Sequence, residues 1–216
     1  MLLQKRAADK KTFPNVWTNS CCSHPIYNTI PSEVDSNDQI EQGYVPGIKA
    51  AAIRKLQHEL GIPKESVSPE QIKYLTRIQY CAVDKDTKQG SGPAVWYWGE
   101  HEIDYILFLQ ADITCDPNPE EVSEIRYVTP VALSTMLEGV QGETWSPWFK
   151  LVATRPDLLA TWWKDLDRTF NTDDFVDIHS IKNLVDKERA YSSLFMDSAA
   201  SLSNSQPNVN VMRMNN

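Results

Sequence analysis

Apolar residues recur every three or four positions in one stretch of the chain, residues 46–61. The residues at these positions are Ile48, Ala52, Ile53, Leu56 and Leu60. This spacing places them on one face of an α-helix, and three consecutive alanines favour helix formation. Gly61 is a good helix terminator, and Pro63 prevents the helix from continuing. The pattern therefore predicts a helix over 46–61.

Runs rich in β-branched and aromatic residues predict three strands. Two are long, at about 73–83 and 95–109, and a charged loop containing glycine separates them. A short strand is expected at 125–128. The apolar start of the chain, residues 1–5, is typical of the end of a further strand.

Proline and hydroxyl residues mark two further helices. Thr129-Pro130 is a typical helix start and predicts a helix that reaches about residue 138. Pro147 begins a longer aromatic helix, expected to end near residue 166 and to be kinked or interrupted around Pro156. Residues 26–46 are rich in Pro, Ser, Asp and Asn and predict a polar loop.

The alternation of helices and strands predicts one α/β domain with a mixed β-sheet over residues 1–184. The chain has 216 residues, which is enough for a single domain with a substantial core. After residue 184, Ser, Asn and Asp dominate and the apolar period is lost. Residues 185–216 are therefore predicted to form a disordered tail.

Charge and cysteine content narrow the class of protein. The chain has 21 basic and 29 acidic residues, a net charge of −8 that gives no general support for nucleic-acid binding. No uninterrupted apolar run approaches the length of a membrane span. The four cysteines lack the spacing of a zinc finger or ribbon. These features favour a soluble cytoplasmic enzyme with reduced thiols.

Two thiols and an imidazole occur close together at Cys21, Cys22 and His24. Taken alone, Cys22 is more often a small core residue than a nucleophile or base, and His24 is more often structural than a ligand. Upstream, four cations fall within seven residues: Lys5, Arg6, Lys10 and Lys11. These cations either form a solvated turn, which is the default, or clamp a diphosphate.

Two carboxylates alternate along the second long strand. Glu100 and Glu102 are two residues apart, so in a strand they point to the same face. They either converge on a divalent metal or form the solvated face of an edge strand. The apolar run at 106–109 weakens the second interpretation, because it indicates that the strand continues into the interior.

Taken together, these stretches resemble the type I isopentenyl-diphosphate isomerases, a branch of the Nudix superfamily. The shared stretches are residues 18–25 (Thr-Asn-Ser-Cys-Cys-Ser-His-Pro), 59–61 (Glu-Leu-Gly), 99–102 (Gly-Glu-His-Glu) and 146–148 (Ser-Pro-Trp). The likeness covers about residues 2–180, in order. It implies a Nudix-like mixed β-sheet flanked by helices, and conversion of isopentenyl diphosphate to dimethylallyl diphosphate in isoprenoid biosynthesis.

The resemblance also implies catalytic residues. Enzymes of this family protonate an unactivated alkene and remove a proton from its far side, through a tertiary carbocation. Cys22 matches the catalytic thiol, and Glu102 matches the catalytic carboxylate. Trp148 matches a tryptophan that faces the cation, and Tyr80 a tyrosine whose hydroxyl lies near the carboxylate. Which group donates the first proton stays open, because the reaction is reversible.

A metal-dependent diphosphate site is implied as well, with the small diphosphate as the partner of a monomeric protein. The matching substrate-binding residues are Arg6, Lys10, Ser23 and Lys55. Glu59 matches the ligand of a Mg²⁺ ion that bridges the diphosphate. His24, Glu100 and Glu102 match three of five ligands to a second divalent metal, which is Zn²⁺, Mn²⁺ or Mg²⁺.

The chain departs from the family at its start. The family's other two ligands to the second metal are histidines on a segment preceding residue 1, so the chain is expected to be incomplete at its N-terminus. One alternative is therefore a catalytically inactive remnant that binds diphosphate. A Nudix pyrophosphohydrolase is disfavoured, because Lys55 and His58 stand where that motif requires acids.

Overall fold

The computed structural model describes residues 1–87, 89–91, 96–139, 142–185 and 210–215. The strands are β1 (Leu2–Arg6), β2 (Trp17–Asn19), β3 (Cys21–Ser23), β4 (Ile72–Val83), β5 (Gly99–Leu109), β6 (Val122–Tyr127), β7 (Asp177–Val185) and β8 (Asn210–Asn215). The helices are α1 (Asn37–Glu41), α2 (Pro46–Leu60), α3 (Pro130–Leu137), α4 (Pro147–Thr154), α5 (Leu159–Lys164) and α6 (Leu166–Asn171). Short 3₁₀ turns lie at Lys64–Ser66 and Pro69–Gln71.

The strands form two sheets. The smaller sheet is antiparallel, in the order β2-β1-β6, and the larger is mixed, in the order β3-β8-β5-β4-β7. In the larger sheet β7 runs parallel to β4 and β8 runs parallel to β5. The predicted α/β fold, a mixed sheet flanked by helices, is confirmed. Within the described ranges, no helix combines the length and the apolar character that crossing a bilayer requires.

Helix α2 confirms the prediction made from its apolar spacing. Its buried apolar positions include Ile48, Ala52, Leu56 and Leu60. Gly61 closes the helix in the left-handed conformation, with φ 65° and ψ 13°. A Cβ at this position would lie 2.2 Å from the carbonyl oxygen of Asp116, so only glycine fits. This closure fixes the last turn of α2, which carries Glu59.

Strands β4 and β5 lie between two apolar clusters. Alternate residues of β5 divide between them, with Ile106 and Phe108 in one cluster and Tyr105 and Leu107 in the other. Trp148 belongs to the first cluster, and the buried face of α2 belongs to the second. The even-numbered residues at the start of β5, among them both predicted ligands, therefore face the side on which Trp148 packs.

The aromatic helix predicted over 147–166 is interrupted and forms α4 and α5, which α6 follows. Helix α4 ends before Arg155, which is extended at φ −84° and ψ 125° because it precedes Pro156. Helix α5 ends before Asp165, whose side chain accepts the N–H of Arg168 at 3.0 Å and caps α6. The predicted interruption around Pro156 and the predicted end near residue 166 are confirmed, and α6 follows as a further helix that was not predicted.

Other boundaries differ more modestly from the predictions. The polar loop at 26–46 contains α1, which Ser36 and Gln39 cap reciprocally. Strand β6 begins at Val122, three residues before its predicted start. Strand β5 begins at Gly99, and residue 95 of its predicted range lies outside the described residues.

The predicted tail divides into two parts. Residues 186–209 and 216 lie outside the described residues. Asn210–Asn215, by contrast, form β8 and pair with β3 on one side and β5 on the other. Backbone pairing of this kind needs no long apolar period. For residues 186–209 the tail remains a prediction.

Candidate active site

A pocket of about 250 Å³ collects residues from five elements and the loops beside them. Nearly all of the sequence-predicted site residues line it: Arg6, Lys10, Cys22, Ser23, His24, Lys55, Glu59, Glu100, Glu102 and Trp148. Tyr80 reaches the same group through its hydroxyl, which contacts Glu100 and Glu102. A larger pocket of about 620 Å³, lined in part by Lys49, Lys73 and Tyr74, contains none of the predicted residues.

The two carboxylates predicted as ligands share one tyrosine hydroxyl. Tyr80 pairs across the strands with Glu102, so its hydroxyl donates to Glu102 Oε2 at 2.7 Å and also contacts Glu100. Thr12 donates to the other Glu100 oxygen at 2.6 Å. Burial and the charge of Glu102 raise the pKa of Glu100. A half-buried pair of like charges of this kind favours a cation.

His24, the residue directly after β3, completes the predicted donor set. Its Nε2 lies 3.1 Å from Glu102 Oε1, and its side chain is 61% exposed. The hydrogen bond to Glu102 raises the pKa of His24. One imidazole and two carboxylates suit Zn²⁺, Mn²⁺ or Mg²⁺. Among the described residues, however, no three such groups already converge on one point.

The adjacent thiols have different environments. Cys22 is half-buried, lines the pocket and packs against the apolar cluster that contains Trp148. Cys21 is buried in the other cluster, and burial together with the charge of Glu59 raises the pKa of its thiol. Alternation along β3 separates the two side chains. Only Cys22 can therefore meet a molecule in the pocket.

Trp148 forms an aromatic wall of the pocket. It is 1% exposed, and its Nε1 donates to Asn19 Oδ1 at 3.0 Å. The rings of Tyr80 and Phe13 lie 5.6 and 5.5 Å from it, centroid to centroid. The Arg6 guanidinium lies 5.4 Å from the centroid of the indole ring. These contacts fix the plane of the indole.

Cations and carboxylates alternate at the other end of the pocket. Lys55 Nζ lies 3.0 Å from Glu59 Oε1 and 3.9 Å from Glu121 Oε2. Lys10 forms an ion pair with the same Glu121 carboxylate. Burial alone would raise the pKa of Glu121, but the hydrogen bond from Lys10 and the charges of both lysines outweigh it and lower that pKa. This carboxylate holds the two lysines together.

Arg6 and Ser23 also lie at this pocket. The Arg6 guanidinium donates to the carbonyl oxygens of Phe13 and Thr12 at 2.9 and 3.0 Å, which fixes the loop after β1. Ser23 is buried, and its hydroxyl donates to the carbonyl oxygen of His24 at 3.2 Å.

Known proteins resemble the chain over most of its length. The NUDIX domain family model matches residues 1–149. An isopentenyl-diphosphate delta-isomerase of Phaffia rhodozyma is 44% identical over 188 residues, covering 87% of this chain and 66% of that protein. The isopentenyl-diphosphate Delta-isomerase 1 of Mesocricetus auratus is 42% identical over 181 residues, covering 83% of this chain and 71% of that protein. The chain belongs to the isopentenyl-diphosphate isomerase family of NUDIX-domain proteins.

The chain spans only part of some of these relatives. It covers 59% of the isopentenyl-diphosphate delta-isomerase IDI1 of Gibberella zeae, to which it is 46% identical over 167 residues. Lys55 and His58 lie on α2 where a NUDIX hydrolase would carry acids, and the relatives named above are isomerases. The hydrolase alternative is therefore not favoured.

Sequence reasoning missed several residues of this candidate site. Glu121 pairs with Lys10 from 111 residues away, and only its place in an acidic turn could have pointed to it. Arg54 lines the pocket and donates to Glu33 at 2.6 and 2.8 Å and to the His24 carbonyl at 3.0 Å. Glu33 lies in the polar loop, where no local pattern distinguishes a buried acid from an exposed one.

Proposed function

We propose that the protein converts isopentenyl diphosphate into dimethylallyl diphosphate. The observation that carries this proposal is the grouping of Cys22, Glu102 and Trp148 around one pocket. The reaction adds a proton to the terminal alkene carbon, leaves a tertiary cation and removes a proton from the neighbouring methylene. It needs two proton-transfer groups and no redox partner.

Cys22 and Glu102 are the proposed proton-transfer groups. The Tyr80 hydroxyl holds the Glu102 carboxylate at 2.7 Å, which orients it in the pocket. The cation between the two proton transfers must be kept from water. Trp148 is buried and offers an indole face, which stabilises a desolvated cation by about 2 kcal/mol.

The proposed diphosphate site lies at the cationic end. Arg6, Lys10 and Lys55 supply positive charge, and Ser23 lies between the thiol and the imidazole. Glu59 would hold a magnesium ion, and His24, Glu100 and Glu102 would hold a second divalent ion. When bound, such cations neutralise diphosphate and carboxylate charge. Adjacent Cys21 and Cys22 rarely bridge each other, which supports our further proposal that the protein acts in the reducing cytoplasm. We propose that it acts there as a monomer.

Isomerisation of isopentenyl diphosphate by the purified chain tests the proposal. The reaction is followed by ¹H NMR in D₂O, with Mg²⁺ and either Zn²⁺ or Mn²⁺ supplied, and we expect dimethylallyl diphosphate with deuterium in its new methyl group. Absence of product from a folded sample that still binds the diphosphate would overturn the proposal in favour of an inactive diphosphate-binding protein. Release of phosphate would instead point to hydrolysis.

A further inference from the structure

A buried amide lies against Glu59 at the edge of the pocket. Gln4 is in the middle of β1 and is 2% exposed, and its Nε2 donates to Glu59 Oε2 at 2.9 Å. Gln4 Oε1 is also buried and accepts no hydrogen bond from the described residues. A buried acceptor without a partner lowers stability. An apolar side chain of the same length would avoid that cost, so packing alone does not account for the amide.

The hydrogen bond from Gln4 restrains one oxygen of a carboxylate that lines the pocket. The other oxygen, Glu59 Oε1, lies 3.0 Å from Lys55 Nζ, so it already faces a positive charge. Gly61 fixes the backbone of the same helical turn. Donors that hold a ligating side chain orient it and contribute to metal affinity.

We propose that Gln4 is a positioning residue that orients Glu59 for the divalent cation of the diphosphate site. The inference rests on the proposed function, because that function assigns the cation to Glu59. Gln4 does not line the pocket, and it acts only through the carboxylate. Its effect is therefore on metal affinity and not on the proton transfers.

Replacement of Gln4 by methionine tests this role. Gln4→Met keeps the length of the side chain and removes both the donor and the unpartnered acceptor. We expect the dissociation constant for Mn²⁺, measured by EPR of the free ion without substrate, to rise about tenfold or more. The melting temperature of the metal-free protein should stay the same or rise.

Matched variants separate positioning from a general structural effect. Tyr74→Phe removes another buried polar atom, at a residue outside this pocket, and should leave Mn²⁺ affinity unchanged. Glu59→Gln shows which part of the Mn²⁺ binding depends on this carboxylate. Adding Gln4→Met to Glu59→Gln should cause no further loss of Mn²⁺ affinity. The inference would be overturned if Gln4→Met left Mn²⁺ affinity unchanged, or if it lowered that affinity equally in the Glu59→Gln background. It would also be overturned if the loss of Mn²⁺ affinity were explained by a lower melting temperature of the metal-free protein.

The same measurement distinguishes this inference from the proposed function. Mn²⁺ binding is measured without any turnover of isopentenyl diphosphate. A chain that binds Mn²⁺ at Glu59, with an affinity that depends on Gln4, but makes no dimethylallyl diphosphate would refute the proposed function and support the positioning role.

Discussion

At the scale of single residues, the orientation of β3 decides which thiol can act. Cys22 lines the pocket, whereas Cys21 is buried against α2 with a raised pKa. Cys22→Ala should lower the isomerisation rate by at least about 10³-fold, as expected for loss of a proton-transfer group. Glu102→Gln should have a comparable effect. Both variants should keep the wild-type melting temperature within a few degrees.

Cys21→Ala is the matched control for the thiol. It removes a buried thiol one residue away, so it should lower stability while leaving the rate per folded molecule close to that of the wild type. Wild-type turnover by Cys22→Ala would refute the assignment of the catalytic thiol.

Trp148 has both a structural and a chemical role, and comparison with a second buried tryptophan can separate them. Trp148→Phe loses the hydrogen bond to Asn19 and the larger indole face. We expect kcat to fall about tenfold, since cation–π stabilisation is worth about 2 kcal/mol when desolvated. Stability should fall by about 1–3 kcal/mol. Trp162→Phe, in the same apolar cluster but outside the pocket, should lose stability without a change in kcat.

At the scale of elements, an ion pair connects the loop after β3 to α2. Glu33 is 4% exposed and accepts from Arg54 Nε and Nη2, and from the Ile26 N–H at 2.8 Å. Burial alone would raise the pKa of Glu33, but the hydrogen bonds and the charge of Arg54 outweigh it and lower that pKa. Since Arg54 also donates to the His24 carbonyl, the pair positions one wall of the site.

Glu33→Gln should therefore destabilise the protein in a pH-dependent way. A carboxyl whose pKa is lowered in the folded state stabilises it above the unfolded pKa, and this contribution disappears as the pH falls through the folded pKa. We expect a loss of about 1–3 kcal/mol at pH 7 that shrinks towards pH 3, measured by urea unfolding. Glu124→Gln, which breaks the exposed pair with Arg126, should cost about 0.5 kcal/mol or less. A constant Glu33→Gln effect across this range would contradict the argument.

The elements that were predicted well from the sequence are those in which apolar residues recur at a regular spacing. Helix α2 and the pair β4–β5 bury alternating or helically spaced apolar residues, so their patterns are visible in the chain itself. The Glu33–Arg54 and Lys10–Glu121 pairs join residues 21 and 111 positions apart. Such pairing is decided by the tertiary fold, which no local pattern contains. Helix α6 was not predicted, because its capping residue Asp165 looks like any exposed acid in the sequence.

At the scale of the whole molecule, folding brings together residues from position 6 to position 148 around one pocket. Three of them are carboxylates: Glu59, Glu100 and Glu102. Glu100 has a raised pKa because it is buried beside Glu102, which is the electrostatic cost of placing like charges together. A divalent cation would relieve this cost in the folded state and would find no preformed site in the unfolded chain.

Divalent metal should therefore stabilise the fold as a whole. Mn²⁺ at about 100 times its dissociation constant adds about 2.7 kcal/mol to the free energy of unfolding. For a protein of this size that corresponds to about 5–11 °C in melting temperature. Calorimetry with Mn²⁺, and again after EDTA, measures the shift at constant ionic strength.

Glu100→Gln is the decisive variant for this stabilisation. The Tyr80 hydroxyl contacts the carboxylates of Glu100 and Glu102, and this variant removes one of these two negative charges. The metal-free melting temperature should therefore rise at neutral pH. The rise in melting temperature on adding Mn²⁺ should become smaller, because the variant lacks a proposed metal ligand. An undiminished Mn²⁺ shift in Glu100→Gln would show that the stabilising ion binds elsewhere. A lower metal-free melting temperature would show that the carboxylate pair is not under electrostatic strain.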